Sequence, residues 1–296
     1  MRSSLHPWVN TIQYPFVTRE FDTGEGWASY VDAGHGRPVV FVHGSMTWSF
    51  LFRHLIRPLS EKNRCIAPDL LGFGLSHKPQ GVDYGPRGHA RRFADLMDHL
   101  RLDDVTLIVH DGGGPIALDW ATRHPDRVRD VVLFNTWMWS LEHNAPAQRL
   151  ARLIGNPLNK FYYRVLNASP SFILPPLFAD RHRLPRATQM QYMEPFRRHV
   201  EREAVYAMVE SMRSANRWYE ELWERRGAIA HKRFLNLWGI KDPLFGLDAL
   251  DRFECAFPNH MTIRYPTGRF IPEERPQDAT GEIGWFLLNS ARASLR

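Results

Sequence analysis

The stretch Val105-Thr-Leu-Ile-Val109-His110-Asp111-Gly112-Gly113-Gly114-Pro115-Ile-Ala-Leu118 sets a carboxylate where a chain could use it as a nucleophile. The apolar and β-branched run from Val105 to Val109 is too short for a helix and reads as a strand buried on both faces. Three glycines then permit a very tight turn, and Ile116 to Ala121 continues as a helix. Pro115 falls in the first helical turn, where its missing N–H does no harm. Strand, sharp turn and helix form a nucleophile elbow, which thrusts one side chain above the end of a sheet. Here that side chain is Asp111. A carboxylate so placed attacks an sp³ carbon, as in displacement of a halide or opening of an epoxide, and leaves an alkyl ester that water must later cleave. The plainer alternative is an aspartate that caps the helix or sits in an ion pair.

The elements that would position Asp111 alternate along the chain. Tyr14–Phe21 and Trp27–Val31, with Gly24 and Gly26 between them, predict an antiparallel hairpin. Strands are predicted at Pro38–Val42, Arg64–Ala67, Val105–Val109, Arg129–Phe134, Lys232–Trp238 and His260–Tyr265. Helical stripes fall between them: Phe50, His54, Leu55 and Leu59, then Phe93, Leu96, Met97 and Leu100, then Leu247–Phe257. A last helix carries Ile283, Phe286 and Leu287. Alternation of this kind means an α/β protein with a mostly parallel sheet and right-handed crossovers. Between Asn135 and about Ala230 it stops. Phe196, Val200, Ala204 and Met208 step by four, as do Trp218 and Leu222, so this insertion reads as helical. An insertion after a strand's C-terminal edge lies where ligands bind in open α/β sheets, so it reads as a lid. The expected division is a first core part (1–136), a helical cap (137–230) and a second core part (231–296).

Composition excludes several classes. With 44% hydrophobic and 24% charged residues, 296 residues make a globular chain with a sizeable core. No apolar run approaches bilayer length, and the first ten residues lack the apolar stretch of a signal peptide, so a cytoplasmic protein is expected. Two cysteines, Cys65 and Cys255, make no disulfide framework and read as small buried hydrophobes. The net charge of +6 comes without a nucleic-acid motif and reads as a solvated surface. No His/Cys/carboxylate cluster has metal-ligand spacing, and no Walker lysine follows the Gly112–Gly114 turn, so no cofactor is expected.

These motifs together resemble the α/β-hydrolase fold, and within it the haloalkane dehalogenases, over about residues 11–290. His43-Gly-Ser-Met-Thr-Trp-Ser49 resembles that family's oxyanion loop, and Asp69-Leu-Leu-Gly-Phe-Gly-Leu-Ser-His-Lys-Pro79 its next signature loop. Val109-His-Asp-Gly-Gly-Gly114 falls on its elbow, with Asp111 as nucleophile. Leu237-Trp-Gly-Ile-Lys-Asp242 resembles the strand end that carries the triad acid, although an aspartate there also suits an N-cap. Gly268-Arg269-Phe-Ile-Pro-Glu-Glu274 falls on the loop of the triad histidine. The resemblance implies an oxyanion site from Ser45, Gly112 and His43. The lid aromatics Trp137, Trp139, Phe161, Tyr162, Tyr163 and Phe172 offer an apolar lining for a substrate pocket, although each taken singly reads more readily as core packing.

Three positions depart from the family. Gly112 stands where its halide-holding tryptophan follows the nucleophile, and Ser45 where it has asparagine. Backbone and hydroxyl donors could still hold a carbonyl oxyanion, but a leaving halide loses its indole, a kind of loss worth about 3 kcal/mol in other enzymes. Arg269 takes the place of the base histidine, and a guanidinium cannot deprotonate water near neutral pH. His43 and His110 are placed as loop and strand residues rather than bases, and His143 starts the lid. A cation at 269 suggests an ion pair with Asp111, Asp242 or both, and a grip for an anionic ligand. Two functions follow. One is an enzyme acting on an ester, lactone or activated carbon with no histidine base, and a poor dehalogenase. The other is a catalytically silent relative that binds a small ligand, anionic or neutral, under the lid.

Overall fold

The computed structural model describes residues 6–156 and 169–293. Its strands are β1 (Thr18–Asp22), β2 (Trp27–Ala33), β3 (Arg37–Val42), β4 (Asn63–Pro68), β5 (Val105–Asp111), β6 (Val128–Thr136), β7 (Arg233–Gly239) and β8 (His260–Tyr265). They form one sheet in the order β1-β2-β4-β3-β5-β6-β7-β8. The pairs β1/β2 and β2/β4 are antiparallel, and every other pair is parallel. Strand β5 lies at the centre with every residue buried, as its uninterrupted apolar run requires.

The helices are α1 (Arg53–Leu59), α2 (Pro86–His99), α3 (Gly113–Arg123), α4 (Ala145–Gly155), α5 (Arg186–Met193), α6 (Glu203–Ser214), α7 (Asn216–Glu224), α8 (Leu247–Ala256), α9 (Ile271–Glu274) and α10 (Pro276–Ala293). Helix α2 packs on α3, and α1 on α10, in the layers that cover the sheet. Helices α4 to α7 all lie in the chain between β6 and β7. Inside that insertion α4 packs on α6, and the Gln148 side chain donates to Met212 O at 3.0 Å. This is the α/β-hydrolase fold with its helical insertion after the sixth strand. No helix among the described residues is long and apolar enough to cross a membrane.

Local chemistry moves three sequence-based expectations. The first hairpin begins at Thr18 rather than Tyr14, because Pro15 has no N–H for a ladder. Tyr14 instead packs against Trp48, and its hydroxyl meets Ser49 Oγ at 2.5 Å. The four-residue stripe from Phe196 to Met208 is not one helix. Arg198 is extended, and its N–H is taken by the Glu201 side chain, so the regular helix α6 starts only at Glu203. Cys65 is buried in β4, where burial pushes its thiol up to about 12. Cys255 is exposed, because Ala249, Leu250 and Phe253 form the inward stripe of α8.

Candidate active site

Asp111 ends β5 with a positive φ of 50°, a left-handed conformation that costs an aspartate less than most residues. Helix α3 follows at Gly113, and the Thr136 hydroxyl at the end of β6 donates to Asp111 O at 2.6 Å. That turn lifts the carboxylate above the sheet. Its Oδ2 accepts from the Ser45 N–H at 3.0 Å and the Ser45 hydroxyl at 2.9 Å. Its Oδ1 accepts from Arg269 Nη1 at 2.8 Å. The same guanidinium grips Asp242 with two parallel bonds, Nε to Oδ2 at 3.0 Å and Nη2 to Oδ1 at 2.9 Å. Asp242 lies three residues beyond β7 and also accepts the Leu244 N–H at 2.9 Å, a turn-type bond rather than a helix cap. All three side chains are at most 1% exposed.

Burial by itself pushes the Asp111 carboxyl up. The Arg269 charge, with help from His110, the Gly112 N–H and Ser45, outweighs it and holds Asp111 below the usual carboxylate range. Burial pulls Arg269 down, and Asp242 and Asp111 more than restore it, so the guanidinium stays charged. Two carboxylates and one guanidinium leave the cluster with one net negative charge.

The loop that carries Arg269 is fastened to the insertion. The Arg269 N–H donates to Leu177 O at 3.0 Å. Glu274 accepts the N–H groups of Gly268 at 2.8 Å, Ala179 at 3.1 Å and Asp180 at 3.0 Å. Position 268 must be glycine, because a Cβ there would collide with Leu177 O. Glu273 pairs in two bonds with buried Arg53 and accepts the Tyr192 hydroxyl. Phe270 stacks on Phe178 with ring centroids 4.8 Å apart.

Arg269 and Ser45 reach a cavity of about 300 Å³ between core and insertion. The other described residues that line it are apolar, among them Met46, Leu150, Phe172, Leu177, Met212 and Leu244. Asp111 stands behind Ser45 and Arg269.

Two residues expected on the pocket are elsewhere. His43 is fully buried, its Nδ1 on Gly44 O at 2.8 Å and its Nε2 accepting the Leu70 N–H at 2.9 Å. It braces the loop before Ser45, and burial lowers it to about 4, so it is neutral. Trp137 stacks on Phe245 at 4.6 Å and meets Tyr219 edge-on, so it packs among aromatics instead of facing the cavity. Trp139 packs likewise on Trp223 and Phe253. Phe172 does line the cavity, whereas Phe161, Tyr162 and Tyr163 lie outside the described residues. His110 points to the far side, against Phe270 and Arg269 O, and burial lowers it to about 4. His143 is exposed. Among the described residues no group of three or more His, Cys, Asp and Glu could hold a metal ion.

Sequence reasoning missed Met208, whose Cε would lie 2.6 Å from a Cβ on Gly112. Its place in the apolar stripe of the insertion carried only the signal of an ordinary core residue.

A family model described as the alpha/beta hydrolase fold matches residues 37–276. The chain therefore belongs to the α/β-hydrolase family, and within it is haloalkane dehalogenase-like. It is 36% identical over 283 residues to haloalkane dehalogenase 2 of Mycobacterium tuberculosis, covering 91% of this chain and 94% of that one. It is 30% identical over 294 residues to a cis-3-alkyl-4-alkyloxetan-2-one decarboxylase of Xanthomonas campestris, covering 93% and 97%. The solved haloalkane dehalogenase DatA of Agrobacterium tumefaciens C58 superposes with a TM-score of 0.82 at 25% identity, over 93% of this chain and 97% of that one.

Proposed function

We propose that the chain is an enzyme that uses Asp111 as nucleophile on a small, uncharged organic substrate beneath a helical cap, in a reaction that requires no activated water. Residues 137–230 are the cap, and 1–136 with 231–296 are the core. One observation carries the reading: Arg269 Nη1 lies 2.8 Å from Asp111 Oδ1, where the family's base histidine is expected. A guanidinium takes no proton from water, so an ordinary alkyl ester on Asp111 would not be released. Gly112 also leaves a departing halide without the family's indole donor. The chain is therefore a poor dehalogenase.

A lactone avoids the difficulty, and the decarboxylase among the relatives points the same way. Asp111 Oδ1 attacks C4 of an oxetan-2-one, the ring C4–O bond breaks, and its electrons become a free carboxylate. That carboxylate then leaves as CO₂. The C2–C3 electrons form the C3=C4 double bond, and the C4–O bond to Asp111 breaks to return the carboxylate. Lactone becomes alkene and CO₂ with no water and no proton transferred. Asp242 positions Arg269, which has five N–H groups and donates three to the aspartates. The remaining two serve the carboxylate as it forms, and the Ser45 N–H and hydroxyl hold Asp111 Oδ2 in the oxyanion site, with the Gly112 N–H beside that carboxylate.

The test is to incubate the protein with a cis-3,4-dialkyl-oxetan-2-one and identify products by gas chromatography. Alkene that disappears in Asp111→Asn is the expected result. A 3-hydroxy acid as the main product would overturn the reading. A second reading, a silent small-molecule binder, is favoured by the complete pairing of both aspartates. Its mark is saturable binding with neither product.

A further inference from the structure

We infer that the cavity selects an uncharged, oxygenated head with about five buried alkyl carbons in all, and that it rejects anions. This rests on the proposed function, because the head is placed at Arg269 and Ser45. Among the described lining residues those two supply the polar groups, and hydrocarbon supplies the rest. A substrate oxygen therefore has one end of the cavity to bind, and the remainder favours methylene groups.

Charge selection follows from the cluster behind the wall. Among the described residues of the lining Arg269 is the charged one, and its charge is already matched by Asp111 and more than matched once Asp242 is counted. His43 and His110, the neighbouring imidazoles, are neutral because burial lowers both to about 4. A carboxylate ligand would bring a second net negative charge into a water-poor site. The guanidinium is thus a hydrogen-bond donor for a neutral carbonyl rather than a clamp for an anion.

Length selection follows from volume. At about 30 Å³ per small non-hydrogen group, as for water, the cavity of about 300 Å³ holds about ten such atoms. A four-membered lactone with its carbonyl oxygen uses half of them. Phe172 lines the cavity and is 65% exposed, so it stands at the mouth. A longer chain passes Phe172 and gains little further burial. Leu150 from α4 and Met212 from α6 form walls that a substitution can move.

The experiment measures binding of 2-alkylcyclobutanones, which carry the ring and carbonyl but no scissile ester, by calorimetry. Affinity should rise about fourfold per methylene up to roughly five carbons and then level off. Alkanoates of equal length should bind at least tenfold more weakly. Met212→Ala should move the break to longer chains and Leu150→Trp to shorter ones. An affinity that climbs unbroken to ten carbons, or one that ignores length, would overturn the size limit. Alkanoates binding as well as the ketones would overturn the charge selection. None of these readings needs turnover, so a lactone that is bound with the expected break but never converted would sink the proposed reaction alone.

Discussion

Met208 from α6 fills the space above Gly112: a Cβ built on Gly112 would lie 2.6 Å from Met208 Cε. The two positions are therefore coupled. A side chain following Asp111 requires the terminal methyl of Met208 to move aside, and one as large as an indole requires more of that side chain to move. Gly112→Trp alone should cost stability by overpacking, about 1–3 kcal/mol or more, and Gly112→Trp with Met208→Ala should recover most of it. Denaturant unfolding of the three proteins measures this. A single Gly112→Trp variant as stable as the parent would show that Met208 yields freely.

Arg269→His bears on the water-dependent half of a displacement reaction. The unmodified protein should release no bromide from 1,2-dibromoethane over many turnovers, and at most accumulate an adduct on Asp111 seen by intact mass. General-base help is typically worth about 10²–10⁴ in rate, so Arg269→His should turn over measurably. Adding Gly112→Trp should raise the rate further, and most when Met208 is also shortened. Multiple-turnover release by the unmodified chain, well above buffer, would remove the premise that Arg269 blocks ester cleavage.

Much of the site was legible because it lies where strands end. The apolar run before Asp111 and the glycines after it dictate the elbow, and strand ends bring residues 111, 242 and 269 to one edge of a parallel sheet. Orientation was less legible. His43 and Trp137 follow strands β3 and β6 as the loop pattern suggested, but their rings turn into the core, toward Phe73 and Phe245. Nothing in a one-dimensional pattern separates a buried ring beside a cavity from one facing it. Met208 was hidden for the same reason, since its contact with Gly112 depends on how the insertion folds back.

The pH dependence of stability follows from the depressed carboxyl of Asp111. A group held below its unfolded value stabilises the fold above that value, and the contribution is lost as pH falls through the folded one. In Arg269→Met the cation is gone and burial dominates, so Asp111 moves above its unfolded value. Its effect then reverses, with stability lost as pH rises through the new value. The gap between parent and variant should thus be smallest near pH 3 and widen toward pH 7, reaching the roughly 3–5 kcal/mol of a broken buried pair. Unfolding free energies at several pH values give the gap directly. A gap constant across that range would mean Arg269 does not set the charge of Asp111.

Glu274 joins the loop of Arg269 to the cap through three backbone N–H groups, those of Gly268, Ala179 and Asp180. It is a buried positioning residue, since it bonds to neither Asp111 nor Asp242 and acts by tying Gly268, beside Arg269, to Ala179 and Asp180, just after Leu177. Glu274→Ala strips all three donors of their acceptor. The Gly268 donor is buried and costs about 1–3 kcal/mol when unsatisfied, whereas Ala179 and Asp180 are exposed and water replaces their acceptor, so a total loss of about 1–3 kcal/mol is expected. Glu274→Gln keeps one oxygen acceptor and should fall between the two. Stability alone would not show that the tie between cap and loop has opened. Hydrogen exchange at the Ala179 and Asp180 amides would, and it should quicken far more than at β5, whose ladder does not depend on Glu274. Were those two amides to stay as protected in Glu274→Ala as in the parent, the Arg269 N–H on Leu177 O and the Phe178–Phe270 stack would be holding the cap without it.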